Sequence, residues 1–341
     1  MSLELILAGI ILISLTFYVL FGGADYGAGV WSLFASGPRA PRQREAIAKA
    51  IGPIWEANHV WLILVVTILF TAFPKAFALI SMQLHIPLSL MLIGIVLRGS
   101  AFAFRTNDVV PRTVNEAGAQ TFWERIFAVS SVFTPIMLGT TIGAVASGRL
   151  VGQGETFTET FVRPWATPFC FTVGVLALTL FAFLAAVYLL LEAEEDALRE
   201  NFRQRALWAG GMAVLLAGAV FLLSNNAAPR VRDHLGHTAW GAITMGVAGL
   251  SAIGALTSLW RRMDRMAFVF TVSEVSFIVW GWGVAQYPYL VIPSVAIKDS
   301  APVQTLQLVL AALFIGALLL FPSLYYLYRI FKGHTIRRAL E

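Results

Sequence analysis

The chain has few charged residues and only one cysteine. Asp, Glu, Lys and Arg make up 13% of its 341 residues, and hydrophobic residues make up 58%. Soluble globular proteins have roughly 25% charged and 45–50% apolar residues, so this composition lies outside their range. Cys170 has no second cysteine with which to form an internal disulfide, and no Cys/His spacing indicates a zinc site. We expect Cys170 to pack as a small hydrophobic residue.

A compact basic tract is also lacking. The net charge is +5, which alone could suggest binding to nucleic acid. The Lys and Arg residues are spread along the polar segments, however, and form no cluster that could follow a phosphate backbone. Nucleic acid is therefore excluded as an expected partner, and a membrane protein with basic loops explains the same charge.

Long apolar runs are abundant. Nine charge-free stretches have at least 18 residues each: 5–24, 57–74, 76–97, 126–148, 164–191, 206–229, 234–260, 275–297 and 300–328. About 20 helical residues cross a hydrocarbon core of about 30 Å, and a helix satisfies its own backbone amides there. The sequence therefore predicts an all-α, polytopic integral membrane protein with nine transmembrane helices, the first retained as a span. Membrane lipid is an expected partner.

The spans are expected to form one membrane domain over residues 1–341. No loop is long enough for a separate soluble domain, although 192–205 is predicted to form a short surface helix. Two sets of four spans, within 1–150 and 151–290, followed by a last span at 300–331, are a plausible division. The two sets show no convincing sequence similarity to each other.

The basic residues predict the orientation of the chain. Taken alternately along nine spans, one set of connecting segments contains 18 Lys and Arg residues and the other contains 6. Cytoplasmic loops carry the excess of Lys and Arg. We therefore expect the N-terminus outside and the C-terminus in the cytoplasm.

Several ionisable residues fall at the ends of apolar stretches or within them. With this orientation Asp25, Glu56 and Arg98 lie at similar depth near the cytoplasmic face, and Glu274 lies about 12 Å into the eighth span. Ionisable groups at bilayer depth cost free energy and tend to face the interior of a helix bundle. An ion pair of Arg98 with Asp25 or with Glu56 would hold helices together.

A proton relay is the alternative to a purely structural pair. Glu56 and His59 are three residues apart and share one helix face, where they could pass protons from the cytoplasm into the membrane. Glu274 fits either a second proton site or a partner for a polar group across an interface. Trp55 and Trp61 flank Glu56 and His59, and one of them is expected to face a partner protein or a channel.

Histidines offer two weaker candidates for ligand sites. His85, near the middle of the third stretch, could ligate haem iron, but a lone histidine in an apolar helix is more often a packing residue. His234 and His237 are three apart in a polar connection, and no third metal ligand is evident.

Two motifs carry a family resemblance. At GGADYGAGVW (22–31) and GPIWEANHVWLI (52–63) the chain resembles subunit II of the bacterial cytochrome bd-type quinol oxidases. LRGSAFAFR (97–105) and RRMDRMAF (261–268) extend the resemblance, which covers essentially the whole chain with its nine spans.

The resemblance implies a subunit of an electrogenic, non-pumping quinol:O2 oxidoreductase in the bacterial cytoplasmic membrane. The complex oxidises a membrane quinol, reduces O2 to water and takes the chemical protons from the cytoplasm. The haem-bearing subunit I holds haem b and haem d, three haems in all. Subunit II binds none directly, supports assembly and contributes a proton route. The resemblance also allows a small single-span subunit in the complex and a structural quinone or lipid.

The resemblance also implies roles for individual residues. Proton uptake is assigned to Glu56 and Asp25, with His59 as a further carrier that the family does not support, since Glu or Gln is commoner there. The supporting or partner-facing residues are Trp55, Asn58, Trp61, Arg98 and Glu274. No catalytic, cofactor-binding or metal-binding residue is expected in this chain.

Two other functions compete with this interpretation. An ion-coupled membrane transporter would also place carboxylates in a bundle, but it predicts broken helices and a site at the midplane. A structural subunit without a proton route would use the same residues only for packing.

Overall fold

The computed structural model describes residues 2–51, 55–106, 114–152 and 154–340, and side chains throughout these ranges except at 51, 55–56, 105–106, 114–121, 328 and 331–340. Helices dominate the described chain, and the two short strands lie in one connection. This confirms the all-α expectation.

The first span contains a π-helical turn. Helix α1 (Leu3–Phe17) continues through a π-turn (Tyr18–Gly22) into α2 (Gly23–Leu33), giving one apolar path of 31 residues. A π-turn inserts extra backbone into a helix and rotates everything after it. At its far end, the guanidinium of Arg205 donates to the carbonyls of Trp31 and Phe34, which have no further helical turn to bond them.

The chain bends sharply between the second and third spans. A polar helix, α3 (Ala40–Ile51), comes first, followed along the chain by α4 (Trp55–Asn58), α5 (Val60–Ala72), α6 (Pro74–Gln83) and α7 (His85–Thr106). Helix α6 turns by 116° from α5. Pro74, at the first position of α6, cannot continue α5 because it lacks the amide hydrogen.

The predicted bounds of the third span were wrong. The third span begins at His85 rather than at residue 76, and it continues past Arg98 to Thr106. This boundary could not be found from charge alone, because α6 has no charged residue after Lys75.

The remaining chain is also helical. Its elements are α8 (Val114–Ala146), α9 (Phe157–Phe161), α10 (Pro168–Glu192), α11 (Asp196–Ala227), α12 (Pro229–His237), α13 (Ala239–Trp260), α14 (Asp264–Gln286), β1 (Tyr289–Val291), β2 (Val295–Ala296) and α15 (Val303–Leu340). Strands β1 and β2 pair antiparallel. Most of the predicted surface helix at 192–205 is the first part of α11, because residues 196–205 continue directly into the span.

Within the described ranges, eight helices are long and apolar enough to cross a membrane, and the bent pair α5–α6 provides a ninth candidate. The polytopic prediction is therefore confirmed. Helix α10 is central and packs against α2, α8, α11 and α14. Cys170, near its start, is fully buried among apolar side chains, as expected. No residue in the apolar window of α15 is buried within the chain.

Candidate functional site

A buried ion pair joins the first and third spans. Arg98 donates from Nη1 to Oδ2 of Asp25 at 2.9 Å and from Nη2 to Oδ1 at 2.8 Å. Nη2 also donates to the main-chain carbonyl of Asp25 at 3.1 Å. Arg98 is 1% exposed and Asp25 5% exposed, so water screens neither charge. The two-pronged geometry is the strong form of an arginine–carboxylate contact.

Aromatic rings enclose the guanidinium of Arg98. Its central carbon lies 4.6 Å from the centre of the Tyr26 ring and 4.8 Å from that of Phe127. Nε donates to Oγ of Ser131 at 3.0 Å, and this hydroxyl donates to the carbonyl of Phe127. Ring faces attract cations, and more strongly when water is excluded. The cation is therefore fixed from every side by groups of α2 and α8.

The glycine-rich motif brings these helices together. A β-carbon on Gly29 would lie 2.1 Å from Oγ of Ser131, so only glycine allows α2 to approach α8 this closely. Small residues permit such contacts between membrane helices. The motif thus positions Asp25 within reach of the arginine.

The start of the second span lies beside this pair. Nδ2 of Asn58 donates to the carbonyl of Phe21, within the π-turn, at 3.4 Å. The His59 ring lies 6.1 Å from the Tyr18 ring and 6.3 Å from the Tyr26 ring, centre to centre. His59 therefore reaches the rings that surround the ion pair.

Of the two predicted supporting tryptophans, Trp61 packs against the first and last spans. Trp61 is buried and lies against Phe17, with ring centres 4.6 Å apart, and against Phe321 of α15 at 6.3 Å. It therefore packs inside this chain. The side chains of Trp55 and Glu56 lie outside the described residues, although the backbone of both belongs to α4.

Glu274 is separate from the ion pair. It is 4% exposed, and its Oε2 has no hydrogen-bond partner in the described part of the chain. Helix α14 packs against the π-turn, and Gly283 of α14 meets Leu12 of α1. Because the two helices run in opposite directions, this register places Glu274 at about the depth of the π-turn.

The helix bounds place the charged residues at similar depths. Asp25 and Arg98 each lie eight residues from the end of their helix, at Leu33 and Thr106 respectively, which corresponds to about 12 Å. Glu274 lies ten residues from the start of α14, or about 15 Å. The predicted equality of depth holds for Asp25 and Arg98, although Arg98 lies inside its span rather than at the end.

In the described part of the chain, the histidine candidates do not form a metal site. His85 begins α7 instead of lying mid-span, its Nδ1 is 2.9 Å from the carbonyl oxygen of Met82, and its ring packs edge-on against Phe161. His234 and His237 lie on α12. The described residues contain no group of three His, Cys, Asp or Glu side chains that could hold a metal ion.

Sequence reasoning missed three contributors to the site: Tyr18, Tyr26 and Ser131. The phenol oxygens of both tyrosines are buried. Ser131 had a signal in the sequence. Span 4 has hydroxyl residues at helical spacing, which marks a face toward another helix; they are Ser130, Ser131, Thr134 and Thr141.

The arrangement keeps the carboxylate of Asp25 charged and opposes the exchange of a proton there. A proton can reach this carboxylate only if two charge-assisted hydrogen bonds from Arg98 loosen. His59 lies between the rings of Tyr18 and Tyr26, and a neutral imidazole has one ring nitrogen that can accept a proton. The site therefore places a rigid charged pair and a titratable side chain on either side of the Tyr26 ring.

Comparison with known proteins identifies the family. The family described as cytochrome bd terminal oxidase subunit II matches residues 3–331. The chain is 24% identical to cytochrome bd-I ubiquinol oxidase subunit 2 of Escherichia coli (strain K12), with 87% of this chain and 82% of that protein covered. It shares its fold with a chain of the bd oxidase from Geobacillus thermodenitrificans, with a TM-score of 0.74, 23% identity, and 98% and 99% of the two chains covered. Since the family match spans nearly the whole sequence, the chain belongs to the cytochrome bd terminal oxidase subunit II family.

Proposed function

We propose that this subunit supplies a proton-uptake route to an oxidase that couples quinol oxidation to the reduction of O2 to water. Glu56, His59 and Asp25 form the route. The observation that carries the proposal is the position of His59 between the rings of Tyr18 and Tyr26, because the Tyr26 ring also packs against the guanidinium of Arg98 in the buried Asp25–Arg98 pair. Glu56, one turn before His59 on the chain, precedes it in the route.

The three residues have different tasks in this proposal. Glu56 and His59 exchange protons, while Asp25 is the fixed end of the route. Because Arg98 neutralises Asp25 in place, the charged pair can be kept inside the membrane without a free ion. Asn58 and Trp61 hold the start of the second span against the first through Phe21 and Phe17.

The remaining assignments follow the family. Subunit I is the proposed partner and holds haem b and haem d, with three haems and the quinol site. A small single-span subunit can complete the complex. The excess of basic residues orients the N-terminus outside and the C-terminus toward the cytoplasm of a bacterium.

Isosteric amide substitutions test the route. In the purified complex, Glu56→Gln should slow O2 reduction with quinol at least several-fold and leave the haem spectrum unchanged, because it removes a protonatable group and preserves its shape. His59→Gln should slow it less. The control is Glu45→Gln, an exposed carboxyl on α3, which should match the wild type. Wild-type turnover in both Glu56→Gln and His59→Gln would refute the route.

A structural role without proton transfer is the second candidate. The specific observation in its favour is the two-pronged Arg98–Asp25 contact, which joins helices whether or not protons pass. It predicts that Glu56→Gln and His59→Gln retain full turnover, while Asp25→Asn lowers the yield of assembled complex. Membership of an oxidase family sets the transporter alternative aside.

A further inference from the structure

An apolar groove runs along the outside of the third and fourth spans. It has a volume of about 370 Å³ and lies between α7 and α8. Its walls are apolar except for Arg125 at one end and the hydroxyl residue Ser130; the lining residues are Ile93, Gly94, Leu97, Phe122, Arg125, Ile126, Val129, Ser130 and Phe133. Val129 is 60% exposed, so the groove opens outward, where a membrane protein meets lipid.

The length of the groove matches one leaflet. From Phe122 to Phe133 it follows α8 for 11 residues, or about 16 Å. Half of a hydrocarbon core of about 30 Å is nearly the same distance. The groove can therefore hold an acyl chain from the membrane surface to the bilayer centre.

The charged end lies at the membrane surface. Arg125 is exposed, and no described residue forms an ion pair with it. Trp123, two residues earlier, stacks on Phe104 with ring centres 4.6 Å apart, which is typical of the aromatic belt at the interface. Arg125 is the one charged residue among the described lining residues.

We propose that this groove is a binding site for one anionic phospholipid, with the phosphate and its charged head group at Arg125 and an acyl chain along Val129 toward Phe133. Basic pockets between membrane helices on the cytoplasmic side bind acidic head groups by this chemistry. The site does not depend on the proposed proton route.

The groove lies directly behind the buried ion pair. Ser130 lines it, while the adjacent Ser131 accepts the hydrogen bond from Arg98. Gly94 faces Thr134 so closely that no side chain fits between α7 and α8 there. A bound lipid would therefore pack against the outer side of the helix pair that holds Arg98.

Site-specific crosslinking tests the proposal. Phosphatidylglycerol with a photoreactive group at the end of one acyl chain is added to the delipidated, purified complex, and labelled peptides are mapped. Labelling is expected at the Gly94 and Phe133 end of the groove. Unlabelled phosphatidylglycerol should compete about fivefold better than phosphatidylcholine with the same chains, as expected for one arginine near the membrane surface.

Three variants separate the head group from the chain. Arg125→Gln should abolish the fivefold preference, and Val129→Trp, which fills an outward-facing part of the groove, should abolish the labelling itself. Arg261→Gln removes an exposed arginine directly after α13 and should change neither.

Four results would overturn the proposal. They are absence of labelling in the wild-type complex, as when a helix of the partner subunit covers the groove; equal competition by the two lipids; better competition by a quinone; and an equal effect of Arg125→Gln and Arg261→Gln.

Discussion

Gly27 of α2 and Phe181 of α10 are in direct backbone contact: a β-carbon on Gly27 would lie 1.9 Å from the main-chain oxygen of Phe181. Neither side of this contact is a flexible side chain. The two helices can be this close only because residue 27 has no side chain. Helix α10 is the centre of the fold, so this contact fixes the first span, and with it Asp25, relative to the rest of the subunit.

Gly27→Ala should therefore separate α2 from α10. We expect a loss of at least about 1–3 kcal/mol, the usual cost of overpacking, and less assembled complex in the membrane. The control is Gly9→Ala in α1, where no atom lies within 4 Å of the added carbon. Complex yield and the thermal midpoint of the purified protein are the measurements. Equal behaviour of the two variants would contradict the close contact.

The ion pair leads to a second prediction. Asp25→Leu or Arg98→Met alone leaves one buried charge without its partner, which costs about 3–5 kcal/mol. The double variant removes both charges and should recover most of that loss. The thermal midpoints of the four proteins form a double-mutant cycle, and additive effects would show that the two residues do not interact.

The number and position of most spans could be predicted from the sequence because crossing a membrane requires long apolar runs. Lys75 divides two stretches close to the turn at Pro74, but the break at Leu84 between α6 and α7 could not be located in this way, since residues 76–97 carry no charge on either side of it. Hydropathy indicates whether a segment can lie in a membrane, but it does not indicate the direction in which the helix runs. His85 was misplaced for that reason.

The site was predictable in part. Equal depth suggested that Arg98 pairs with a carboxylate, but the choice of Asp25 depends on how closely α2 approaches α8. The rings of Tyr18 and Tyr26 could not be assigned to one face, because the π-turn changes the 100° rotation per residue on which a helical wheel relies. The roles of Glu56 and His59, and the division into two four-span sets, stay predictions.

A third prediction concerns the charged end of α11 and α14. Arg199 and Arg203 both donate to Asp264, at 3.0 and 2.8 Å, and Arg203 and Asp264 are 9% and 10% exposed. Asp264→Asn should lower the free energy of unfolding by about 1–3 kcal/mol, since a hydrogen bond to a charged group is lost where water replaces it poorly.

A solvent-exposed pair provides the control for Asp264. Glu195 contacts Arg42 at 3.3 Å with side chains 49% and 67% exposed. Glu195→Gln should change stability by less than about 1 kcal/mol, because exposed pairs contribute little. Denaturation of the purified complex compares the two variants, and a larger loss for Glu195→Gln would contradict the burial of the Asp264 network.

The last prediction concerns Glu274, whose Oε2 is buried without a partner among the described residues. A buried polar group that makes no hydrogen bond costs about 1–3 kcal/mol. Glu274→Met replaces it with an apolar side chain of similar length, so the thermal midpoint should rise or stay constant. Glu274→Asp keeps the polar group and shortens the chain, so it should lower the midpoint. A larger loss of thermal midpoint for Glu274→Met than for Glu274→Asp would contradict an unpaired carboxyl. The cross-linking neighbours of Glu274 in the assembled complex would then identify the partner, in another subunit or in the part of this chain outside the described residues.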